Sequence, residues 1–188
     1  MSTGPNFIII EEGIDTKKIL KQLSKISWDT VHGYKDIGGD KTPPGFLPLI
    51  MAVVPPGTNP KDSEFLQKTP LFDQCDEVLR FLYFRGIKSF ARAAFFKLDV
   101  GGRVETHIDE GNYYLTKDRY HLSLQGEYKY TVGGESRIIK PGTFFWFDNK
   151  RPHSAENISA TTERITFVFD SPKSPNNPHH KVHYATNM

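Results

Sequence analysis

The chain has 188 residues, 24 Lys and Arg against 22 Asp and Glu, and one cysteine, Cys75. A single cysteine excludes an intramolecular disulfide and any cysteine-rich zinc module, and a net charge of +2 without a basic run argues against a surface built to neutralise phosphates. With 37% apolar and 13% aromatic residues, the composition is that of a folded domain with a substantial core.

The first twelve residues carry no basic leader, and the apolar run 7–10 is short for a signal segment. Residues 15–26 predict a helix, with Asp15 placed to cap it and Ile19, Leu20, Leu23 and Ile26 on one face. Residues 33–70 are rich in Gly and Pro and predict long loops around one strand over 47–53. A second helix is expected over 73–84, its apolar face carrying Cys75, Val78, Leu79 and Leu82, with Cys75 as a small buried hydrophobe. No stretch approaches the ~20 apolar residues of a membrane-spanning helix. The expectation is a soluble, cytoplasmic protein without a nucleic-acid or membrane partner.

From residue 91 onward, short aromatic and β-branched runs alternate with turn signals. Strands are expected over 92–98, 103–107, 119–124, 128–132, 135–139, 143–147, 154–157 and 164–170. Gly133-Gly134 predicts a two-residue hairpin link, and Pro141-Gly142 a type II turn. So many short strands at near-regular spacing predict a mainly β sandwich or roll with the two helices outside it. One domain is expected over 1–170, with a β core over 91–170, a helical and loop portion over 1–90, and a tail from 171 to 188 that includes His179, His180 and His183.

Four sets of residues carry chemistry. His107 and Asp109 stand at i and i+2, a spacing that puts both side chains on one face of a strand. His153 follows 44 residues later, behind an aromatic strand. Two histidines and one carboxylate occupy one face of a metal's coordination sphere and leave the opposite face open, as in non-haem Fe(II) oxygenases. Arg164 enters an otherwise apolar strand and needs an anion there, and its planar fork suits a carboxylate. Arg119 and His121, again at i and i+2, add an inward-facing pair. On the residues alone, His107 and Asp109 also fit a surface pair bonded to each other, and Arg164 also fits a structural acid such as Glu105 or Glu156.

The run from 91 to 170 resembles the aspartyl/asparaginyl β-hydroxylase-like branch of the Fe(II)/2-oxoglutarate dioxygenases. The resemblance rests on Gly101 before His107, on Arg119-Tyr120-His121-Leu122, on Pro141-Gly142, and on His153 followed by Arg164. It implies a double-stranded β-helix (jelly-roll) with the N-terminal helices packed on one sheet. It implies iron on His107, Asp109 and His153, and 2-oxoglutarate held by Arg164 with help from Arg119 and His121. The implied reaction uses O2 to hydroxylate a free amino acid or a peptide residue of Asp, Asn or Pro type, and releases succinate and CO2. Two positions depart from the branch's vertebrate protein hydroxylases: Asp109 stands where they carry Gly, and Phe96 stands where they carry a co-substrate-contacting Ser. The alternative reading is a cupin-like metal-binding roll that is non-catalytic or an isomerase.

Overall fold

A computed structural model describes residues 5–28, 45–59 and 61–173. Its elements in chain order are β1 (Phe7–Glu11), α1 (Lys17–Leu23), β2 (Phe46–Ala52), β3 (Leu66–Lys68), α2 (Asp76–Phe84), β4 (Ala93–Leu98) and β5 (Arg103–His107). They continue with α3 (Asn112–Leu115), β6 (Lys117–Gln125), β7 (Tyr128–Val132), β8 (Glu135–Ile139), β9 (Phe144–Phe147), β10 (His153–Asn157) and β11 (Arg164–Pro172). The strands form two antiparallel sheets, β1-β9-β6-β11-β4-β2-β3 and β5-β10-β7-β8. The smaller sheet packs on the larger one to make a mainly β, double-stranded β-helix.

Two apolar layers hold this arrangement, one on each face of the large sheet. Between the sheets, Tyr130 of β7 meets Phe145 and Phe147 of β9, with ring centroids 5.7 and 5.1 Å away, and Phe7, Val132, Ile139 and Ala155 close the layer. On the opposite face, Ile19 and Leu23 of α1 and Val78, Phe81 and Leu82 of α2 cover Leu122, Phe144, Trp146, Phe167 and Phe169. The helices therefore sit outside the roll, as their one-sided apolar pattern predicts. The period of two along each strand decides what remains for the interior. On β11, Ile165, Phe167 and Phe169 turn out under the helices, so Arg164, Thr166, Val168 and Asp170 turn in. On β6, Tyr120, Leu122 and Leu124 turn out, so Arg119, His121 and Ser123 turn in.

The turns follow their residues. Gly133 and Gly134, with φ of 55° and 87°, link β7 to β8 in the two-residue turn that matches strand twist. Gly126, between β6 and β7, has φ +76°, and a Cβ there would lie 2.7 Å from the Glu163 carbonyl oxygen and 2.9 Å from the Arg164 Cα. Only glycine lets this turn press against the start of β11, and that contact helps set where Arg164 begins.

Several elements depart from expectation. The first 90 residues contribute β1, β2 and β3 to the large sheet as well as covering it. The run 7–10 is β1, whose Phe7 and Ile9 pack between the sheets while Ile8 and Ile10 pack under the helices. A strand covered on both faces reads as an unbroken apolar run without alternation. The first helix is shorter than expected: Asp15 accepts the Lys17 N–H at 3.0 Å, and tighter turns replace the helix after Leu23. The second is broken, with a 3-10 turn over Phe72–Gln74 before α2. Cys75, at the junction, is buried, and burial pushes its thiol up to about 11, with Asp76 adding to the effect. The sequence pattern does not announce the single turn α3. Among the described residues no helix is long and apolar enough to cross a membrane. The tract His179, His180 and His183 lies outside the described residues.

Candidate metal centre

His107 ends β5 and His153 begins β10, and the two are direct partners across the antiparallel ladder. Their imidazoles therefore meet, with ring centroids 4.2 Å apart. The chain leaving β5 is held against the 148–151 turn by the Asp109 N–H, which donates to the Asn149 carbonyl at 3.1 Å. This brings Asp109 Oδ1 to 3.8 Å from Nε2 of His107 and 3.9 Å from Nε2 of His153. One donor atom from each residue lies within 4.8 Å of the others, and among the described residues this is the only such His, Cys, Asp and Glu cluster.

Each donor is oriented from behind. His107 Nδ1 faces the Glu105 carbonyl at 2.8 Å, and His153 Nδ1 faces the Arg151 carbonyl at 2.9 Å. A carbonyl can only accept, so Nδ1 carries the proton and the Nε2 lone pair points into the cluster. Asp109 Oδ2 accepts from Arg119 Nη1 at 2.8 Å and from Asn149 Nδ2 at 2.9 Å, which leaves Oδ1 facing the imidazoles. Charge states agree with this geometry. Burial opposes ionisation of Asp109, but Arg119 and the Asn149 bond work against it, and the carboxyl stays below its ordinary range. Burial lowers His153 and keeps it neutral. Two imidazole nitrogens and one carboxylate oxygen suit a divalent ion, and the absence of a fourth donor among the described residues separates the cluster from a closed structural zinc site.

The cluster opens into a cavity of about 250 Å³ between the sheets. Phe46 and Phe96 line its mouth, with ring centroids 5.1 Å apart. Arg164 lies in the wall, 4% exposed, its guanidinium 4.2 Å over the Tyr128 ring. Among the described residues it has no hydrogen bond and no ion pair. The structural acids that could have neutralised it do otherwise: Glu156 pairs with Arg103 at 2.7 Å, and Glu105 is exposed on the surface. Arg164 Nε, Ser123 Oγ, Thr166 Oγ1, Tyr128 Oη and His121 Nδ1 are all buried without a partner among the described residues. Ser123 and Thr166 are direct cross-strand partners and follow the same inward parity as Arg164. Of these residues Arg164 and His121 line the cavity; an unpaired buried polar atom costs roughly 1–3 kcal/mol, so this wall suits a polar, anionic ligand.

Arg119, expected beside the co-substrate, also carries protein contacts: its Nε and Nη2 bind Asp170 at 2.7 and 2.9 Å while Nη1 binds Asp109. Three of its five donors are committed to protein carboxylates. It borders the cavity, yet its fork faces Asp170. His121 does face the cavity, packed among Phe145, Phe147 and Tyr130. Trp146 belongs to the outer layer, where its Nε1 donates to Asp118, and does not reach the cavity. Lys97 pairs with Glu163 at 3.2 Å beside the mouth. Sequence reasoning missed Asp170, Asn149 and Ser123. The period of two along β11 and β6 points to Asp170 and Ser123, whereas nothing in the turn around Asn149 singles that residue out.

Burial, with Arg164 and Arg119 adding repulsion, holds His121 well below its ordinary 6.5, so it is neutral in the fold. In the unfolded chain it gains a proton as pH drops through 6.5, so its contribution to stability is complete above that value and is lost below it. Metal-free protein is expected to lose up to about 1.4 kcal/mol per pH unit from this group on acidification from pH 6.5 to 5. Unfolding midpoints in urea across that range check the slope, which His121→Gln should flatten.

The sequence profile of the aspartyl/asparaginyl beta-hydroxylase family matches residues 63–173, more than half of the chain. The chain belongs to this family. The match spans all three metal-facing residues, Arg164 and every strand from β3 to β11. No curated protein matches the chain. Solved structures similar to this member of the family include a Thermus thermophilus protein, 24% identical with a TM-score of 0.36 over 44% of this chain and 73% of that one. A predicted oxalate decarboxylase of Thermotoga maritima is 23% identical, with a TM-score of 0.38 over 49% and 74% of the two chains. An RmlC-like cupin of Shewanella frigidimarina is 19% identical, with a TM-score of 0.35 over 45% and 68%.

Proposed function

We propose that the protein is an Fe(II)- and 2-oxoglutarate-dependent hydroxylase of an unactivated C–H in a free amino acid or in an Asp-, Asn- or Pro-type residue of a peptide. The observation that carries this reading is Arg164. It is a buried guanidinium without an anion among the described residues, in the same cavity as a two-histidine, one-carboxylate cluster with an open side. A dicarboxylic co-substrate uses both features, one end at the metal and the other on Arg164. Nothing in a plain metal-storage or isomerase roll calls for that arginine.

His107, Asp109 and His153 would hold the metal. Iron there, with 2-oxoglutarate and O2, supplies the oxidising chemistry, and the co-substrate leaves as succinate and CO2. The chain's own residues bind and orient. Arg164 would take the distal carboxylate in two-point fashion. Stacking on Tyr128 holds the guanidinium plane. His121, neutral, has Nδ1 to offer within the cavity. Tyr130 and Phe147 wall the metal cluster against water, and Phe46 and Phe96 shape the approach of the substrate.

Anaerobic loading with Fe(II) and 2-oxoglutarate, followed by oxygen and succinate measurement across amino-acid and peptide pools, tests the reading. Substrate-stimulated succinate release is expected; absence of both 2-oxoglutarate binding and succinate would overturn it. Arg164→Met should weaken 2-oxoglutarate binding about 100-fold, the effect of removing one partner of a buried charged pair, while Mn(II) affinity holds. The same substitution removes a buried unpaired charge, so the thermal midpoint of the metal-free protein should stay level or rise.

A further inference from the structure

We infer that Arg119 and Asn149 are positioning residues that restrict Asp109 to a single metal-facing oxygen and so keep a coordination position open for the co-substrate. The inference rests on the function proposed above and extends it to residues that touch neither metal nor co-substrate. A carboxylate beside a divalent ion has two ways to bind, through one oxygen or through both. A second oxygen takes up a position that a chelating co-substrate needs. In this protein Asp109 Oδ2 is engaged twice, by Arg119 Nη1 at 2.8 Å and by Asn149 Nδ2 at 2.9 Å. Both donors lie on the side away from the imidazoles, and the Asp109 main chain is pinned as well, through its N–H to the Asn149 carbonyl at 3.1 Å.

The restraint has depth. Arg119 cannot follow Asp109 if the carboxylate turns, because Asp170 grips its Nε and Nη2. Asp170 is 1% exposed and receives a further bond from the Tyr113 hydroxyl at 3.1 Å. That hydroxyl accepts the Arg92 N–H at 3.0 Å, and Tyr113 is itself fully buried. Tyr114 lays its ring over the Arg119 guanidinium, 4.9 Å from its centroid. A series of buried groups therefore runs from the end of β11 to one oxygen atom of Asp109. A fork that only needed to be a counter-ion would not require fixing on its other edge. This geometry explains why Arg119 borders the cavity but turns its donors away from it.

The test separates metal affinity from co-substrate affinity. Asn149→Ala removes one of the two bonds to Oδ2, and Arg119→Lys keeps the charge but cannot span Asp109 and Asp170 together. If one variant does not fold, as judged by circular dichroism, the other carries the test. Each is titrated with Mn(II), and the Mn(II)-saturated protein is then titrated with 2-oxoglutarate by calorimetry. The expected result is a 2-oxoglutarate dissociation constant raised at least about fivefold at saturating Mn(II), with Mn(II) affinity unchanged or tighter. A smaller rise, or a loss that falls on Mn(II) instead, overturns the inference and leaves these bonds as ordinary supports of the ligand. Wild-type protein that binds Mn(II) but not 2-oxoglutarate would instead refute the proposed function, a separate and recognisable outcome.

Discussion

His153→Ala is expected to abolish tight binding of a divalent metal and reduce succinate formation to background. The side chain is one of three donors, and no other His, Cys, Asp or Glu among the described residues is placed to replace it. Loss of a group that merely orients a ligand costs 10- to 100-fold in metal affinity. Loss of the ligand itself should exceed 100-fold in an Mn(II) titration. The imidazole is also 3% exposed, with its ring centroid 5.0 Å from that of Phe147, so the metal-free variant should lose about 1–3 kcal/mol in urea unfolding. His107→Ala makes an informative companion. Its ring is 45% exposed, so it should lose the metal with little loss of stability. Substrate-stimulated succinate formation that survives in His153→Ala would contradict the ligand assignment.

The largest loss of stability is expected at Asp170, a residue that touches neither the cavity ligands nor solvent. Asp170→Asn leaves Arg119, buried and charged, with Asp109 as its remaining carboxylate. Removing one partner of a buried ion pair typically costs 3–5 kcal/mol because the other charge stays buried and uncompensated. Urea unfolding of the metal-free protein measures this directly. The same change releases the outer edge of Arg119 and with it the hold on Asp109, so 2-oxoglutarate should bind the Mn(II)-saturated variant more weakly, as expected for Asn149→Ala, with Mn(II) affinity unchanged or tighter. A variant within 1 kcal/mol of wild type by the same ~3–5 kcal/mol yardstick would show that Arg119 is neutralised elsewhere.

Strands 103–107, 128–132 and 135–139 are readable to their end residues because glycine turns and a change of pattern punctuate them. The candidate site is readable because its chemistry is written in residue type and spacing: an imidazole and a carboxylate two apart, a second imidazole behind an aromatic strand, then an arginine where apolar residues prevail. The layer behind them is not readable this way. Asp170 and Arg119 lie 51 residues apart and meet only because β11 pairs with β6 in one particular register. Inward parity correctly turns Arg119 toward the interior but cannot say whether it meets a ligand or a protein carboxylate. β1 escaped for a related reason, since its neighbours on both faces come from distant parts of the chain and erase the alternation by which a strand is recognised.

Both histidines take their tautomer from the main chain of the residue two positions earlier, Glu105 for one and Arg151 for the other. Every amino acid, proline included, supplies that carbonyl. The choice of which ring nitrogen faces the cluster is thus insulated from mutation at positions 105 and 151, and side chains around the mouth are at liberty to vary while the cluster stays set.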